Sequence, residues 1–66
     1  MIRIHVNGTD TEIEPQTVLE LILSRSLTPE MVVIEKNGDI LRRDTWKTVR
    51  LENGDAIEIV HFVSGG

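Results

Sequence analysis

With 66 residues, a net charge of −4 and no cysteine, the chain has room for one small domain and nothing for a disulfide, a thiolate metal site or a catalytic thiol. The acidic balance argues against nucleic-acid binding through phosphate contacts, and no apolar run approaches the roughly 18 residues of a membrane span. The first residues, Met1-Ile2-Arg3-Ile4-His5-Val6, alternate where a signal peptide would be continuously apolar, so a soluble, cytoplasmic protein is expected.

Ile2, Ile4 and Val6 carry the two-residue period of a half-buried strand. Asn7-Gly8 then signals a hairpin, because a type I′ turn needs positive φ at both central residues. A second, more polar strand is expected at about Asp10–Glu14, ended by Pro15. Thr17-x-x-Glu20 has the spacing of a capping box, in which hydroxyl and carboxylate each satisfy an orphan amide at a helix start. Val18, Leu21 and Ile22 make a helical stripe, widened by Leu19 and Leu23, so a helix over about 17–25 can lie on a sheet. Thr28-Pro29 closes its exit loop.

Met31 to Lys36 is apolar and β-branched, and a second Asn-Gly pair, Asn37-Gly38, turns it into a short strand at Asp39–Leu41. Arg43-Asp44-Thr45-Trp46 lacks strand alternation and predicts a short helical turn, with Asp44 as its cap and Trp46 as the one large aromatic anchor for a small core. Val49-Arg50-Leu51 reads as a short edge strand. Asn53-Gly54-Asp55 turns the chain once more, and Ala56–Val63 is expected to be the longest strand and a central one. Hairpin, helix, then returning strands define an α+β fold of the β-grasp (ubiquitin-like) type. It would have a mixed sheet of about five strands, one main helix on one face, a domain over 1–63 and a flexible tail over 64–66.

Charge is uneven along the chain. Residues 10–35 carry six acids against Arg25, whereas residues 36–50 carry five bases against Asp39 and Asp44. Such a distribution can steer a protein partner, although a solvated face is its commoner meaning. Asp10, Glu12 and Glu14 fall on one side of their strand and could hold a hard cation, but acids on a flat strand diverge and ordinarily face water. His5 and His61 have no convergent co-ligands in the spacing, and His61 is expected on the core face near the sheet end. Serines 24, 26 and 64 lack a nucleophile elbow, and no glycine-rich segment has phosphate-loop spacing. An enzyme with its own active site is the weakest reading.

Two features stand out. If Ile57 and Ile59 face the helix, then Val60 and Phe62 face the other side of the sheet beside Val33, an exposed apolar patch suited to docking. The sequence also ends at Ser64-Gly65-Gly66, where glycine lets the backbone enter narrow places and a terminal carboxylate at Gly66 would be uncrowded. Such an end suits a protein that is itself a substrate.

Together these pieces resemble the ThiS-type sulfur carriers of thiamine biosynthesis over nearly the whole chain. The likeness lies in Thr17-Val18-x-Glu20-Leu21, in Asn37-Gly38 followed by Arg43-x-x-Trp46, and in Leu51-x-x-Gly54-Asp55-x-Ile57-Glu58-Ile59 running into Phe62-Val63-Ser64-Gly65-Gly66. Arg42 stands where such proteins often have a proline. The resemblance implies a protein co-substrate that binds no cofactor of its own. An E1-like adenylating enzyme (ThiF type) uses ATP on the Gly66 carboxylate, with Ser64 and Gly65 threading its channel. A persulfide on a desulfurase or sulfurtransferase then replaces AMP, and thiazole synthase (ThiG type) takes sulfur from the thiocarboxylate. The small subunit of molybdopterin synthase shares fold and tail, but is usually longer and often has Pro-Pro before its Gly-Gly. A carrier for another sulfur pathway and a ubiquitin-like interaction module or modifier are the remaining alternatives.

Overall fold

The computed structural model describes residues 1–62. Five strands form one mixed sheet: β1 (Ile2–Val6), β2 (Thr9–Ile13), β3 (Val32–Lys36), β4 (Asp39–Leu41) and β5 (Ala56–His61), in the order β2-β1-β5-β3-β4. Both hairpins close as the Asn-Gly pairs predict, with φ of 49° and 80° at Asn7 and Gly8, and 53° and 91° at Asn37 and Gly38. The centre is a parallel pair, β1 with β5 (His5 beside Ala56, Val6 beside Ile57). Parallel neighbours need a long crossover, and everything between Thr9 and Asp55 supplies it. This is the β-grasp arrangement expected from the order of elements.

The helix α1 (Val18–Ser24) crosses one face of the sheet. Its four orphan amides are all satisfied, as a buried helix start requires. Val18 N–H donates to the Val49 carbonyl (2.9 Å) and Leu19 N–H to the Trp46 carbonyl (3.0 Å). Glu20 N–H donates to the Thr17 hydroxyl (3.2 Å) and Thr17 N–H to Glu20 Oε1 (2.9 Å), completing the capping box, and Leu21 N–H to the Thr17 carbonyl (3.1 Å) is the first bond of the helix itself. The bond from Thr17 N–H to the carboxylate, and next the Thr17 side chain, hold the Glu20 carboxyl below its ordinary pKa. At the far end Ser26 N–H donates to the Leu23 carbonyl and Leu27 N–H to that of Ile22, the pair of bonds that makes a Schellman cap. Ser26 takes the left-handed conformation (φ 59°) that glycine usually fills there.

Val18, Leu21 and Ile22 pack on Ile4, Val6, Val32, Ile34 and Ile57, with Trp46 and Leu51 closing the end of the core. Trp46 is fully buried, and its indole N–H reaches the Leu41 carbonyl at 3.2 Å.

Several expectations need correction. Leu23 is exposed, because in a helix this short the step from Ile22 carries it off the sheet-facing stripe. Val49-Arg50-Leu51 is not an edge strand. Its polar groups go to the helix start instead, through Val18 N–H and a Leu51 N–H bond to the Gln16 carbonyl (2.9 Å), leaving one bridge between Thr17 and Arg50. The short helical turn forms at Arg43–Thr45, but Arg42 precedes it without a side-chain cap, and Asp44 pairs with Arg42 Nη2 at 3.1 Å. Met31 ends a 3-10 turn (Pro29–Met31) one residue before β3 begins. The last strand is described to His61, and Val63, expected at its end, lies outside the described residues.

Candidate functional site

Strand alternation sorts the sheet into two faces. The face away from α1 presents Glu12 and Asp10 from β2, Arg3 and His5 from β1, then Ala56, Glu58 and Val60 from β5, Val33 and Glu35 from β3, and Ile40 from β4. Across the ladder Glu12 meets Arg3 (3.5 Å) and Asp10 meets His5, so both acids have a partner on this solvated surface. Among the described residues no group of acids and imidazoles could hold a metal ion.

The other half of the face carries an apolar patch beside two acids, Glu35 and Glu58. Val33 pairs directly with Val60. Phe62 N–H donates to the Met31 carbonyl at 3.0 Å, which continues the β5–β3 ladder one step past His61 and puts the Phe62 ring on the same side as Val60. Val60 is 53% exposed, Phe62 44% and Ile40 69%, while Val33 is half-buried beneath them. The expected patch therefore exists as a surface. Ile40 was not picked out from the sequence; its alternation with the half-buried Leu41 within β4 is the signal that would have found it. His61, expected on the core face, is exposed, because β5 has run past the end of the helix by that residue. Ser64, Gly65 and Gly66 lie outside the described residues.

The platform ahead of that segment is tied down by asparagines, which the sequence suggested only as turn formers. Beyond Val6 there is no strand left to pair with β5. The Asn7 amide takes its place, with Oδ1 accepting from Ile59 N–H (2.7 Å) and Nδ2 donating to the Ile59 carbonyl (3.2 Å). Asn37 does the same at the start of β5: Oδ1 accepts from Ala56 N–H (2.8 Å) and its own N–H donates to the Ala56 carbonyl (2.8 Å). Asn37 Nδ2 donates to Asp55 Oδ1 (3.0 Å), and Glu52 N–H to Asp55 Oδ2 (2.8 Å). Asp55 is only 6% exposed, with Lys36 Nζ at 3.8 Å. Buried charge persists in a small domain when it is paired and hydrogen-bonded in this way.

Among the described residues the sheet has an open face and no pocket. The fold defines a ubiquitin-like protein of the β-grasp type with one sheet face left open. The ThiS family model matches residues 4–66. A thiazole synthase of Magnetococcus marinus is 39% identical over 66 residues, 98% of this chain but 20% of the relative, so the chain spans about a fifth of that protein. The sulfur carrier protein ThiS of Bacillus subtilis is 35% identical over 65 residues, covering 96% of this chain and 98% of the relative. The crystal structure of the thiamine biosynthesis protein ThiS from Geobacter metallireducens superposes with a TM-score of 0.84 at 30% identity, over 98% of this chain and all of that one, and its solution structure with 0.82. The chain belongs to the ThiS family, whose members are carriers rather than enzymes. Arg42, where the resemblance led to an expected proline, sits at φ −67°, an angle that proline itself adopts.

Proposed function

We propose that this chain carries sulfur for thiamine biosynthesis on its C-terminal glycine. A carboxylate at Gly66 is ionised at neutral pH, so its oxygen can attack the α-phosphorus of ATP and release pyrophosphate in the site of an E1-like adenylating enzyme. The acyl adenylate then has the leaving group that a carboxylate lacks. The terminal sulfur of a persulfide, held on a desulfurase or sulfurtransferase, attacks the acyl carbon and expels AMP. A thiol that reduces the resulting S–S bond becomes a disulfide and leaves the thiocarboxylate. Thiazole synthase is the acceptor of that sulfur. Gly65 and Gly66 bring no Cβ into the enclosed site and Ser64 only a small one. Val33, Val60 and Phe62 dock the adenylating enzyme, and the cycle runs in the cytoplasm.

One observation carries the assignment: the family match extends through Ser64-Gly65-Gly66 to the last residue, directly beyond a β5 that is bonded on both sides. The kinship with a thiazole synthase favours the thiamine pathway over molybdopterin synthesis. These 66 residues contain no cysteine thiol to hold a persulfide, which supports the C-terminal glycine as the sulfur-bearing residue we propose. Incubation with the adenylating enzyme, ATP and a persulfide donor should raise the mass by the difference between sulfur and oxygen, placed on Gly66 by tandem mass spectrometry. Deleting Gly66 or appending one residue should abolish ATP–pyrophosphate exchange with little change in Tm. An extended chain that exchanges at the normal rate would sink the assignment.

A further inference from the structure

Beside the apolar patch of the open face are two acids that form no ion pair among the described residues. Glu35 on β3 and Glu58 on β5 are directly opposed in the antiparallel register, one step along from the Val33–Val60 pair, and Ile40 flanks Glu35 on its other side. Directly opposed residues in such a ladder have Cβ atoms about 4.5–5.5 Å apart, and like charges there are destabilising. The ion pairs among the described residues are Arg3–Glu12, His5–Asp10, Lys36–Asp55 and Arg42–Asp44, none of which involves Glu35 or Glu58. Lys36 alternates to the other face and is engaged with Asp55. On the side toward β1 the neighbour in register is the Asn7 turn, and the four residues after Phe62 contain no base. Among the described residues, therefore, no cation is paired with either acid.

We infer that the open face docks a protein surface that presents an arginine within an apolar rim, and that Glu35 and Glu58 together receive its guanidinium while Val33, Val60, Phe62 and Ile40 exclude water around it. This rests on the carrier function proposed above and makes the adenylating enzyme the bearer of that arginine. Two carboxylates side by side match a planar fork with several donors, which can bond both at once, better than the single point charge of lysine. The apolar surround lowers the local dielectric and strengthens the contact once formed. It also makes the acids discriminating, since a partner without the cation would bury both uncompensated.

The test uses Glu35→Gln, Glu58→Gln and their combination, which keep size and hydrogen-bonding capacity but remove charge. The double variant should melt no lower than the parent, because a repulsion has been removed. In ATP–pyrophosphate exchange its KM for the adenylating enzyme's carrier site should rise by about tenfold or more, with kcat little changed and most of the salt dependence of KM lost. Glu58→Arg, which can pair with Glu35 within the chain, should raise Tm and yet abolish docking, a combination that no purely structural role would produce. A double glutamine variant with KM within about twofold of the parent, or one that loses stability while docking normally, would overturn the inference. A parent chain that supports no exchange with an enzyme active on its own carrier would instead overturn the carrier function, and the docking inference with it.

Discussion

Asp55→Ala tests whether the start of β5 is held by the buried carboxylate. The substitution removes the acceptor of two hydrogen bonds, from Glu52 N–H at 2.8 Å and from Asn37 Nδ2 at 3.0 Å, and strips Lys36 of its partner. A bond from a partly buried backbone amide to a charged acceptor contributes about 1.5–3 kcal/mol. The Asn37 amide is exposed and can regain water, so its loss adds about 0.5–1 kcal/mol. The distant pair with Lys36 adds less than about 1 kcal/mol. The sum is roughly 2–5 kcal/mol, against a total of roughly 3–10 kcal/mol for a domain of this length. Tm should fall by roughly 8–40 °C, read by urea and thermal denaturation followed by circular dichroism. Asp55→Asn should fall between the two proteins, because one amide oxygen serves Glu52 while its NH2 meets the Asn37 NH2. A loss below about 0.5 kcal/mol for Asp55→Ala would refute the reasoning and mean that water replaces the carboxylate.

Phe62→Asp should leave the circular dichroism spectrum intact, because the ring is 44% exposed, and should weaken binding to the adenylating enzyme; an unfolded variant would show that Phe62 belongs to the core. Ser26→Gly relieves a left-handed conformation but gives the unfolded chain more freedom, and a net gain of about 0.5 kcal/mol in urea denaturation is expected. Because the folded-state pKa of Glu20 is depressed, its contribution is fully present above glutamate's ordinary value of 4.5 and is lost as pH falls through the lowered folded value. The urea midpoint of Glu20→Gln should therefore change less between those two pH values than that of the parent, while an identical acid profile would remove Glu20 as its source.

Much of this architecture was readable without coordinates, for a reason visible at particular residues. The Asn7-Gly8 and Asn37-Gly38 turns, the Thr17–Glu20 box and the alternation of Ile2, Ile4 and Val6 depend on neighbours within a few positions, so near-sequence physics determines them. The phase of the last strand was accessible for the same reason: Ile57 is buried and Val60 exposed, as period two requires. The segment from Val49 to Leu51 went the other way. Its β-branched and apolar residues suit a strand, but the helix start left Val18 and Leu19 amides unmet, and the chain satisfied those first.

What only tertiary structure decided is which distant groups meet. The second role of Asn7 and Asn37 depends on where β1 ends relative to β5. The burial of Asp55 depends on the turn at Asn37 reaching it from 18 residues away. The opposition of Glu35 and Glu58 follows from a register between strands joined by no short loop. By itself the sequence determined local conformation and the polar or apolar sense of each face. Pairing partners across the parallel core were set by the fold, because loop closure over such separations has little local preference to guide it and is resolved only when the whole core packs at once.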